Sequence, residues 1–257
     1  MLTSHRLTLP PTISGLLCGF LGLIGLLCFG CKQTPRNPCG NVDQITYHGY
    51  TYGLVNIGDQ CWFSENLRTS RYRSGGKITL NPEPWDLYSL GAATFFRTPT
   101  ENQYDPYRLE KERISRFGRL YNWYAVNDSR CLCPQGWHVP TKNEFEILIK
   151  HLGGPTSAGN KLKSTSESWT KGRKKPHNGS TGSNSSGFSA LPGGLYWLNG
   201  AGFVDDKWKA FFWTSTPHQD FSKAESVCIH SEDHLGVYVS WAVKEQGKSV
   251  RCIKDSD

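Results

Sequence analysis

The alternation of apolar and polar positions is clearest near residue 50, where it predicts a β-hairpin. Gln44–Tyr47 and Tyr50–Ile57 flank His48 and Gly49, a pair suited to a tight turn. From residue 188 onwards, short runs rich in β-branched and aromatic residues predict further strands. These runs are Phe188–Leu191, Gly194–Leu198, Ala210–Ser215, Ser226–His230, Val237–Trp241 and Ser249–Ile253. The second half of the chain is therefore predicted to consist mainly of strands.

A helical period with a complete start signal occurs at residues 141–152. Thr141 and Glu144 have the spacing of a capping box, and Gly153–Pro155 ends the helix. An apolar stripe follows the i, i+3, i+4, i+7 spacing at Phe145, Leu148, Ile149 and Leu152. Gly118–Val126 also places apolar residues on one helical face. With helices early and strands late, the pattern predicts one α+β domain with mostly antiparallel short strands, two helices and long loops.

Two segments have the composition of long loops. Arg71–Pro106 is irregular and contains paired glycines and prolines, and Lys171–Gly187 is basic at first and then rich in Asn, Gly and Ser. Such segments bury little apolar surface and are predicted to lie at the molecular surface.

The first thirty residues have the character of an export signal rather than of a folded segment. Gly15–Gly30 is a short apolar run, and Gly30 immediately before Cys31 resembles the lipobox of bacterial lipoproteins. We therefore predict a lipoprotein signal peptide at 1–30, a lipidated N-terminus and tether at 31–40, and one domain at 41–257. An ordinary secretory signal and an uncleaved anchor are the alternatives, and each of them also exports the domain.

The net charge of the chain without residues 1–30 bears on which molecules the domain is expected to bind. Removing residues 1–30 removes one arginine and no acidic residue, which leaves 28 basic and 22 acidic residues. Nucleic acid is not an expected partner of an exported chain. The basic group around Arg173 is interpreted as a solvated loop, with attraction to anionic polysaccharide or lipid as the alternative.

Six cysteines remain after Cys31, an even number that predicts disulfides in an oxidising compartment. They are Cys39, Cys61, Cys131, Cys133, Cys228 and Cys252. Six cysteines allow 15 connectivities, and the spacing alone does not choose among them. The spacing of Cys131 and Cys133 is not Cys-x-x-Cys and no paired histidines accompany it, so no metal site is predicted.

Catalytic motifs are missing from the sequence. Gly-x-Ser-x-Gly, His-Glu-x-x-His and phosphate-binding glycine loops do not occur, and no nucleophile stands in a triad-like relation to His138. We interpret His138 as a turn histidine whose ring nitrogen satisfies a backbone group. The acidic pairs Asp205–Asp206 and Glu232–Asp233 and the Glu83–Asp86 segment do not match the calcium motifs of sugar-binding lectins. No catalytic residue, cofactor or metal is therefore predicted.

The tryptophans fall into two groups. Five stand in apolar runs and are predicted to be core residues: Trp62, Trp123, Trp137, Trp213 and Trp241. Trp85, Trp197 and Trp208 have Gly, Asn, Asp or Lys neighbours and are predicted to lie in loops. An exposed loop aromatic can stack on a sugar ring, so these three are the candidate ligand-binding residues. The alternative is that they are loop anchors packed inward.

An ordered series of motifs closely resembles the Fibrobacter succinogenes major paralogous domain family. The series covers about Asp43–Asp255 and comprises Val55–Trp62, Glu65–Leu67, Gly118–Val126, Cys133–Thr141, Gly159–Ser164, Gly187–Gly194, Phe212–Thr216 and Ser249–Asp255. The resemblance implies a C-type-lectin-like fold, distantly related to the sulfatase-modifying enzymes, and it implies no settled activity. Family cysteines match Cys133 and Cys252, which are therefore predicted to pair. The remaining pairs would then be Cys39–Cys61 and Cys131–Cys228.

The leading functional hypothesis is an exported, lipid-anchored domain of the outer membrane or cell surface that binds a glycan or a protein without catalysis. It depends on the export signal, the even cysteine count, the long loops and the missing catalytic motifs. One alternative is an enzyme of the sulfatase-modifying, formylglycine-generating type, for which Cys131 and Cys228 would have to supply a reactive pair. The other is a structural outer-membrane scaffold protein.

Overall fold

The computed structural model describes residues 37–82, 90–94, 106–166, 169, 181–197, 202–206, 208–232 and 236–256. The predicted leader 1–30, Cys31 and Trp85 lie outside the described residues. The strands of the described part are β1 (Gln44–Tyr47), β2 (Tyr50–Ile57), β3 (Gln60–Phe63), β4 (Thr79–Leu80), β5 (Ala92–Thr94), β6 (Leu120–Tyr121), β7 (Trp137–His138), β8 (Gly193–Trp197), β9 (Gly202–Asp206), β10 (Lys209–Pro217), β11 (Lys223–His230), β12 (Val237–Val243), β13 (Lys248–Ser249) and β14 (Ile253–Lys254). The helices there are α1 (Pro106–Phe117), α2 (Trp123–Val126), α3 (Lys142–His151) and α4 (Pro155–Leu162).

The smaller sheet has the strand order β1-β2-β3-β14-β7. Its first two strands form the predicted hairpin, in which Tyr47 pairs with Tyr50 across the turn. His48 and Gly49 both have positive φ, at 49° and 80°, as the twist of a two-residue hairpin turn requires. Strand β14 pairs with β3 on one side and with β7 on the other. The C-terminal end of the chain is therefore held by two earlier segments.

The larger sheet runs β12-β11-β10-β13-β6-β5-β4, and the β8–β9 hairpin joins it through β10. Strands β10, β11 and β12 form an antiparallel meander, whereas β13 is parallel to β10 and antiparallel to β6. Tyr196 and Gly247 exchange two backbone hydrogen bonds with N–O distances of 2.8 and 3.1 Å. These bonds fix β8 beside the turn that follows β12.

Two apolar clusters hold these elements together. The first surrounds Phe63 and Trp213, neither of which has any exposed area. The second packs the apolar stripe of α3 against residues of both sheets. The ring of Phe145 lies 5.1 Å from that of Trp62 in the smaller sheet and 6.2 Å from that of Phe212 in the larger sheet. Most of the largest fully buried side chains are aromatic rings, in keeping with a chain that has many aromatics and one methionine.

The predicted α+β, C-type-lectin-like fold with two helices is wrong. The described part is mostly β, with fourteen strands in two curled sheets and four short helices, and its arrangement is sandwich-like. The prediction assumed that helices come early and strands late. Instead, β1–β5 precede the first helix, and each sheet combines strands from both halves of the chain. Pairings such as β3 with β14 join residues that are distant in sequence, so no short stretch of sequence indicates them.

Three predicted segments differ from the structure. Phe188–Leu191 contributes a single bridge residue instead of a strand. Ser249–Ile253 is divided between β13 and β14, which belong to different sheets. Arg71–Pro106, predicted as a surface loop, carries β4, β5 and the buried residues Tyr72 and Ile78 within its described part. Within this irregular sequence, β5 pairs with β6 and β4 pairs with β5.

Helix α3 begins as predicted. Thr141 Oγ1 accepts from the amide of Glu144 at 3.2 Å, and Glu144 Oε2 accepts from the amide of Thr141 at 2.7 Å, which completes the capping box. Helix α4 then starts at Pro155, and Gly159 packs against Gly236, whose Cα would lie 2.7 Å from a Cβ at position 159. None of the helices within the described ranges is long and apolar enough to cross a membrane.

Two of the three predicted disulfides are present. Cys39 bonds Cys61 across 22 residues of sequence, and Cys133 bonds Cys252 across 119 residues. The second bridge ties the turn that leads to α3 to the segment between β13 and β14. It therefore links the entry of the main amphipathic helix to the end of the fold.

The third predicted pair, Cys131–Cys228, is not formed, and each cysteine is a thiol. Cys228 is fully buried on β11 in a small cluster with Leu195 and Phe211. Cys131 lies in the turn before β7, partly exposed, and its Sγ is 3.4 Å from the carbonyl oxygen of Ser129. The even cysteine count did not distinguish a bridge from two thiols in separate environments.

Candidate functional site

A groove of about 570 Å³ opens on the larger sheet where β8, β10, β12 and β13 meet, and we name it the aromatic groove. Its lining residues are Leu195, Trp197, Lys209, Phe211, Tyr238, Ser240, Trp241, Ala242, Val243, Gln246 and Lys248. They come from four separate strands and one turn. The groove is mainly apolar with a few polar groups, the usual character of a small-ligand site.

Strand register explains why these side chains share one face of the sheet. Phe211, Cys228 and Tyr238 are aligned across β10, β11 and β12, and residues aligned in register point to the same face. Phe211 is 8% exposed and packs with the buried Leu195, forming the floor of the groove. The opposite face of the same strands, which includes Phe212, belongs to the second core.

Trp197 forms an exposed aromatic wall of the groove. It is the last residue of β8 and lies two positions after Leu195, so both side chains point to the same side of the strand. Its exposure is 46%, and Tyr238, which also lines the groove, is 42% exposed. Exposed rings beside an apolar floor are suited to contact with a flat, weakly polar surface of a ligand.

Gln246 lines the groove and carries a buried acceptor atom. It lies in the turn between β12 and β13, where its backbone N–H donates to the backbone carbonyl of Val243 at 3.2 Å. The residue is only 4% exposed, and its Oε1 atom has no hydrogen-bond partner within the described part of the protein. A buried acceptor without a partner costs about 1–3 kcal/mol, and a hydroxyl donor on a ligand would remove that cost.

Segments of the motif series that are far apart in sequence are hydrogen-bonded to each other in the fold. The amide of Leu67 donates to the carbonyl of Val250 at 2.8 Å, and Asn66 Oδ1 accepts from Arg251 Nη2 at 2.7 Å. The model of the Fibrobacter succinogenes major domain matches residues 55–254, most of the chain. The chain belongs to this family. No curated protein and no solved structure matches this Fibrobacter succinogenes major domain.

The three tryptophans that were predicted as ligand-binding residues differ in their positions relative to the groove. Trp197 lines the aromatic groove, Trp208 is half-buried and does not line it, and Trp85 lies outside the described residues. The backbone carbonyl of Trp208 accepts from the amide of Ser231 at 2.7 Å, which joins the start of β10 to the end of β11.

Of the five tryptophans predicted to be core residues, four are buried and Trp241 is not. Trp241 is 54% exposed. It borders the groove and pairs with Glu225 on β11. Its ring lies beside Lys223, whose Nζ is 4.0 Å from the ring centroid. The helices cover only the first part of this face of β12, and Trp241 lies beyond them.

Sequence reasoning missed most of the groove, including Phe211, Tyr238 and Gln246. In β12, alternation from the buried Val237 onwards indicates that Tyr238 and Ser240 point to the opposite side from Val237 and Val239. That signal was present in the sequence. The position of Gln246 had no such signal, because a turn residue acquires its surroundings only when distant strands assemble.

The ring nitrogens of His138 bond to carboxylates instead of the predicted backbone group. Its Nδ1 lies 2.6 Å from Asp255 Oδ1 and its Nε2 lies 2.9 Å from Glu144 Oε1, so both ring nitrogens face carboxylates. The hydrogen bond to Glu144 raises the pKa of His138 most, burial opposes that effect, and Asp255 adds to it. Burial alone would raise the pKa of Glu144, but its bonds from His138 and Thr141 outweigh burial and lower it. A protonated His138 therefore links β7, α3 and the C-terminal segment.

We predict that this link makes stability depend on pH. The folded-state pKa of His138 lies above 6.5, so its contribution is complete below pH 6.5 and is lost as pH rises through the folded pKa. The Glu144 contribution is complete above pH 4.5 and is lost as pH falls through its lowered pKa. His138→Asn should therefore lower the melting temperature most near pH 5.5 and much less near pH 9. A difference from wild type that stays constant between these pH values would contradict the ionic role.

Among the described residues, no group of three or more His, Cys, Asp or Glu side chains is arranged to hold a metal ion. The two thiols that the enzyme hypothesis requires are in different places, since Cys228 is buried on β11 and Cys131 lies in the turn before β7. The aromatic groove therefore remains the candidate ligand-binding site among the described residues.

Proposed function

We propose that this domain is a non-catalytic binding module that holds a glycan in the aromatic groove. The observation that carries the proposal is that Gln246, whose buried Oε1 has no partner among the described residues, lines the same groove as the exposed Trp197 and Tyr238 rings. A sugar matches both features of the groove. Its apolar C–H face can stack on an aromatic ring, and its hydroxyl groups can donate to the Gln246 acceptor. A purely apolar ligand would leave Gln246 unsatisfied.

The test is a glycan array followed by titration of the bound glycan. Trp197→Ala should weaken binding at least tenfold, about 1.4 kcal/mol, because it removes the stacking wall and leaves β8 backbone pairing intact. Gln246→Leu should weaken binding as well, because it removes the acceptor but keeps a side chain of similar volume. Isothermal titration calorimetry measures both effects.

Phe221→Ala is the matched control. Phe221 is 91% exposed in the turn between β10 and β11 and does not line the groove, so its loss removes an exposed aromatic elsewhere. Glycan binding that is equally reduced by Phe221→Ala, or unaffected by Trp197→Ala and Gln246→Leu, would exclude the groove as the site. An array without any bound glycan would favour a protein ligand.

We further propose that the domain is exported and lipid-anchored at Cys31, on the outer membrane or cell surface. The two disulfides support an oxidising compartment. Labelled palmitate should be incorporated by cells that express the full chain and should not be incorporated by the Cys31→Ala variant. Uptake by that variant would refute lipidation at Cys31.

A further inference from the structure

Strand β12 is an edge strand without the features that usually prevent an edge from pairing. Within the described part of the chain it lies at one end of the larger sheet, and β4 lies at the other end. Strand β4 has two residues, whereas β12 has seven, Val237–Val243, and none of them is charged, proline or glycine. Edge strands of natural proteins are usually kept short or carry charges or prolines. An uncharged edge of this length is therefore suited to pairing with a further strand.

The ladder between β11 and β12 shows which residues of β12 face the open edge. The amide of Lys244 donates to the carbonyl of Ser222 at 3.1 Å, at the end of that ladder. Antiparallel ladders alternate between hydrogen-bonded and non-hydrogen-bonded pairs, so the odd-numbered residues of β12 direct their N–H and C=O groups away from β11. Among the described residues, no segment outside this ladder hydrogen-bonds to the backbone of Val239 or Trp241. These backbone groups are available to another strand.

A second groove lies beside this edge, between β12 and helices α3 and α4, and we name it the helix groove. Its volume is about 720 Å³, and its apolar lining includes Ile149 and Val239. The charged residues Glu146 and Lys150 line it as well. Trp241 lies two positions after Val239 on β12, so it points to the same face of the strand, and it is 54% exposed. The edge therefore combines an exposed ring with an adjacent apolar groove.

Antiparallel pairing of β12 with the same strand of a second copy brings each ring to the groove of the other copy. With the two Ser240 residues opposite each other, Trp241 of each copy pairs with Val239 of the other. Both are outward-facing residues, so this pair can exchange backbone hydrogen bonds. Side chains of a cross-strand pair lie on the same face, which places each Trp241 ring at the helix groove of the other copy. One two-fold axis generates both contacts, as in a closed homodimer.

The charges around the ring and the groove are complementary. The Nζ of Lys223 lies 4.0 Å from the centroid of the Trp241 ring and 2.9 Å from Asp220 Oδ2, so a cation and an anion accompany the ring. The helix groove likewise has one anion, Glu146, and one cation, Lys150. Each charge beside the ring therefore has a possible counter-ion beside the groove. Such complementarity favours a second copy over a partner with one predominant charge.

We infer that the domain forms a two-fold dimer in which the two β12 strands pair antiparallel and each Trp241 enters the helix groove of the other copy. Tyr238, Ser240 and Ala242 point to the opposite face, where they line the aromatic groove. The dimer therefore carries its two aromatic grooves on one face of a continuous sheet. This inference does not depend on glycan binding.

The first test is analytical ultracentrifugation of the purified full chain in detergent. We expect a dimer, and Trp241→Lys should raise its Kd at least tenfold, about 1.4 kcal/mol, because it removes the ring and adds a charge to the edge. Leu80→Lys is the matched control, since Leu80 is a 39% exposed residue of β4 at the opposite end of the sheet. It should leave the Kd unchanged. A monomer at every concentration, or equal weakening by the two variants, would overturn the inference.

A cysteine at the two-fold axis tests the strand register. Cα atoms of a non-hydrogen-bonded antiparallel pair are about 4.5 Å apart, within the range of a disulfide. Ser240→Cys should therefore give a disulfide-linked dimer when the full chain is oxidised, detected by non-reducing gel electrophoresis. Leu80→Cys and the wild type, which has the thiols Cys131 and Cys228, should give much less. A Trp241-sensitive dimer without the Ser240→Cys cross-link would overturn the strand pairing, and equal cross-linking of Leu80→Cys would show random collision and would overturn it as well.

Discussion

Replacing both Cys133 and Cys252 by alanine is expected to lower the free energy of unfolding by about 5 kcal/mol. The bridge closes a loop with a sequence separation of 119 residues, and a cross-link over so long a loop restricts the unfolded chain strongly. Alanine is suitable because both cysteines are at most 1% exposed and a serine hydroxyl would be buried there. Urea unfolding followed by tryptophan fluorescence measures the change.

The shorter bridge supplies the control. Cys39→Ala combined with Cys61→Ala opens a loop with a separation of 22 residues, and the same relation gives a loss of about 3 kcal/mol. The difference between the two double variants isolates the effect of loop length, since each replaces two buried cysteines by alanine. Equal losses, or a greater loss for Cys39 and Cys61, would contradict the chain-entropy explanation.

Local features of the fold could be predicted because their causes are local. The start of α3 depends on Thr141 and Glu144, three residues apart, and the first hairpin depends on two turn residues between alternating strands. The four tryptophans correctly assigned to the core stand in apolar runs. In each case the residues that determine the outcome lie within one short window of sequence.

The fold class could not be predicted in the same way. Strand β14 contains only two residues, yet it joins β3 and β7, and β13 joins β10 to β6 with a further two. Such short strands have no alternation of their own, so their partners are decided by the assembly of distant segments. Trp241 illustrates the same limit, because its strand is apolar but the helices that cover the strand stop before reaching it.

The groove was predictable only in part. Trp197 has the polar and glycine neighbours of an exposed aromatic, and from that composition it was predicted to lie in a loop, whereas it is the exposed last residue of β8. Its partnership with Gln246 and Lys248 depends on the backbone pairing between Tyr196 and Gly247. These residues lie close together because segments about fifty residues apart in sequence pack against each other. No motif spacing in the sequence predicts that proximity.

A buried polar connection joins the Asn66 and Arg251 segments of the family motif series. Arg251 is 1% exposed, and its guanidinium donates to Asn66 Oδ1 and to the carbonyl of Phe188, with the Phe188 ring centroid 4.0 Å from Cζ. Asn66 Nδ2 in turn donates to the carbonyl of Phe117 at 2.8 Å and to Ser249 Oγ at 3.2 Å. Burial lowers the pKa of Arg251 to about 9, so the cation is retained at neutral pH at a free-energy cost.

Asn66→Leu should therefore destabilise the protein by about 3–5 kcal/mol, because it removes a partner of a buried charge that cannot reach water. Arg251→Met removes the charge but fills similar space, so the double variant Asn66→Leu with Arg251→Met should be less destabilised than the sum of the single variants. A coupling of at least about 1 kcal/mol is expected in the double-mutant cycle measured by urea unfolding. Strict additivity would show that Asn66 stabilises the fold through Phe117 and Ser249 alone, and that the guanidinium is satisfied without it.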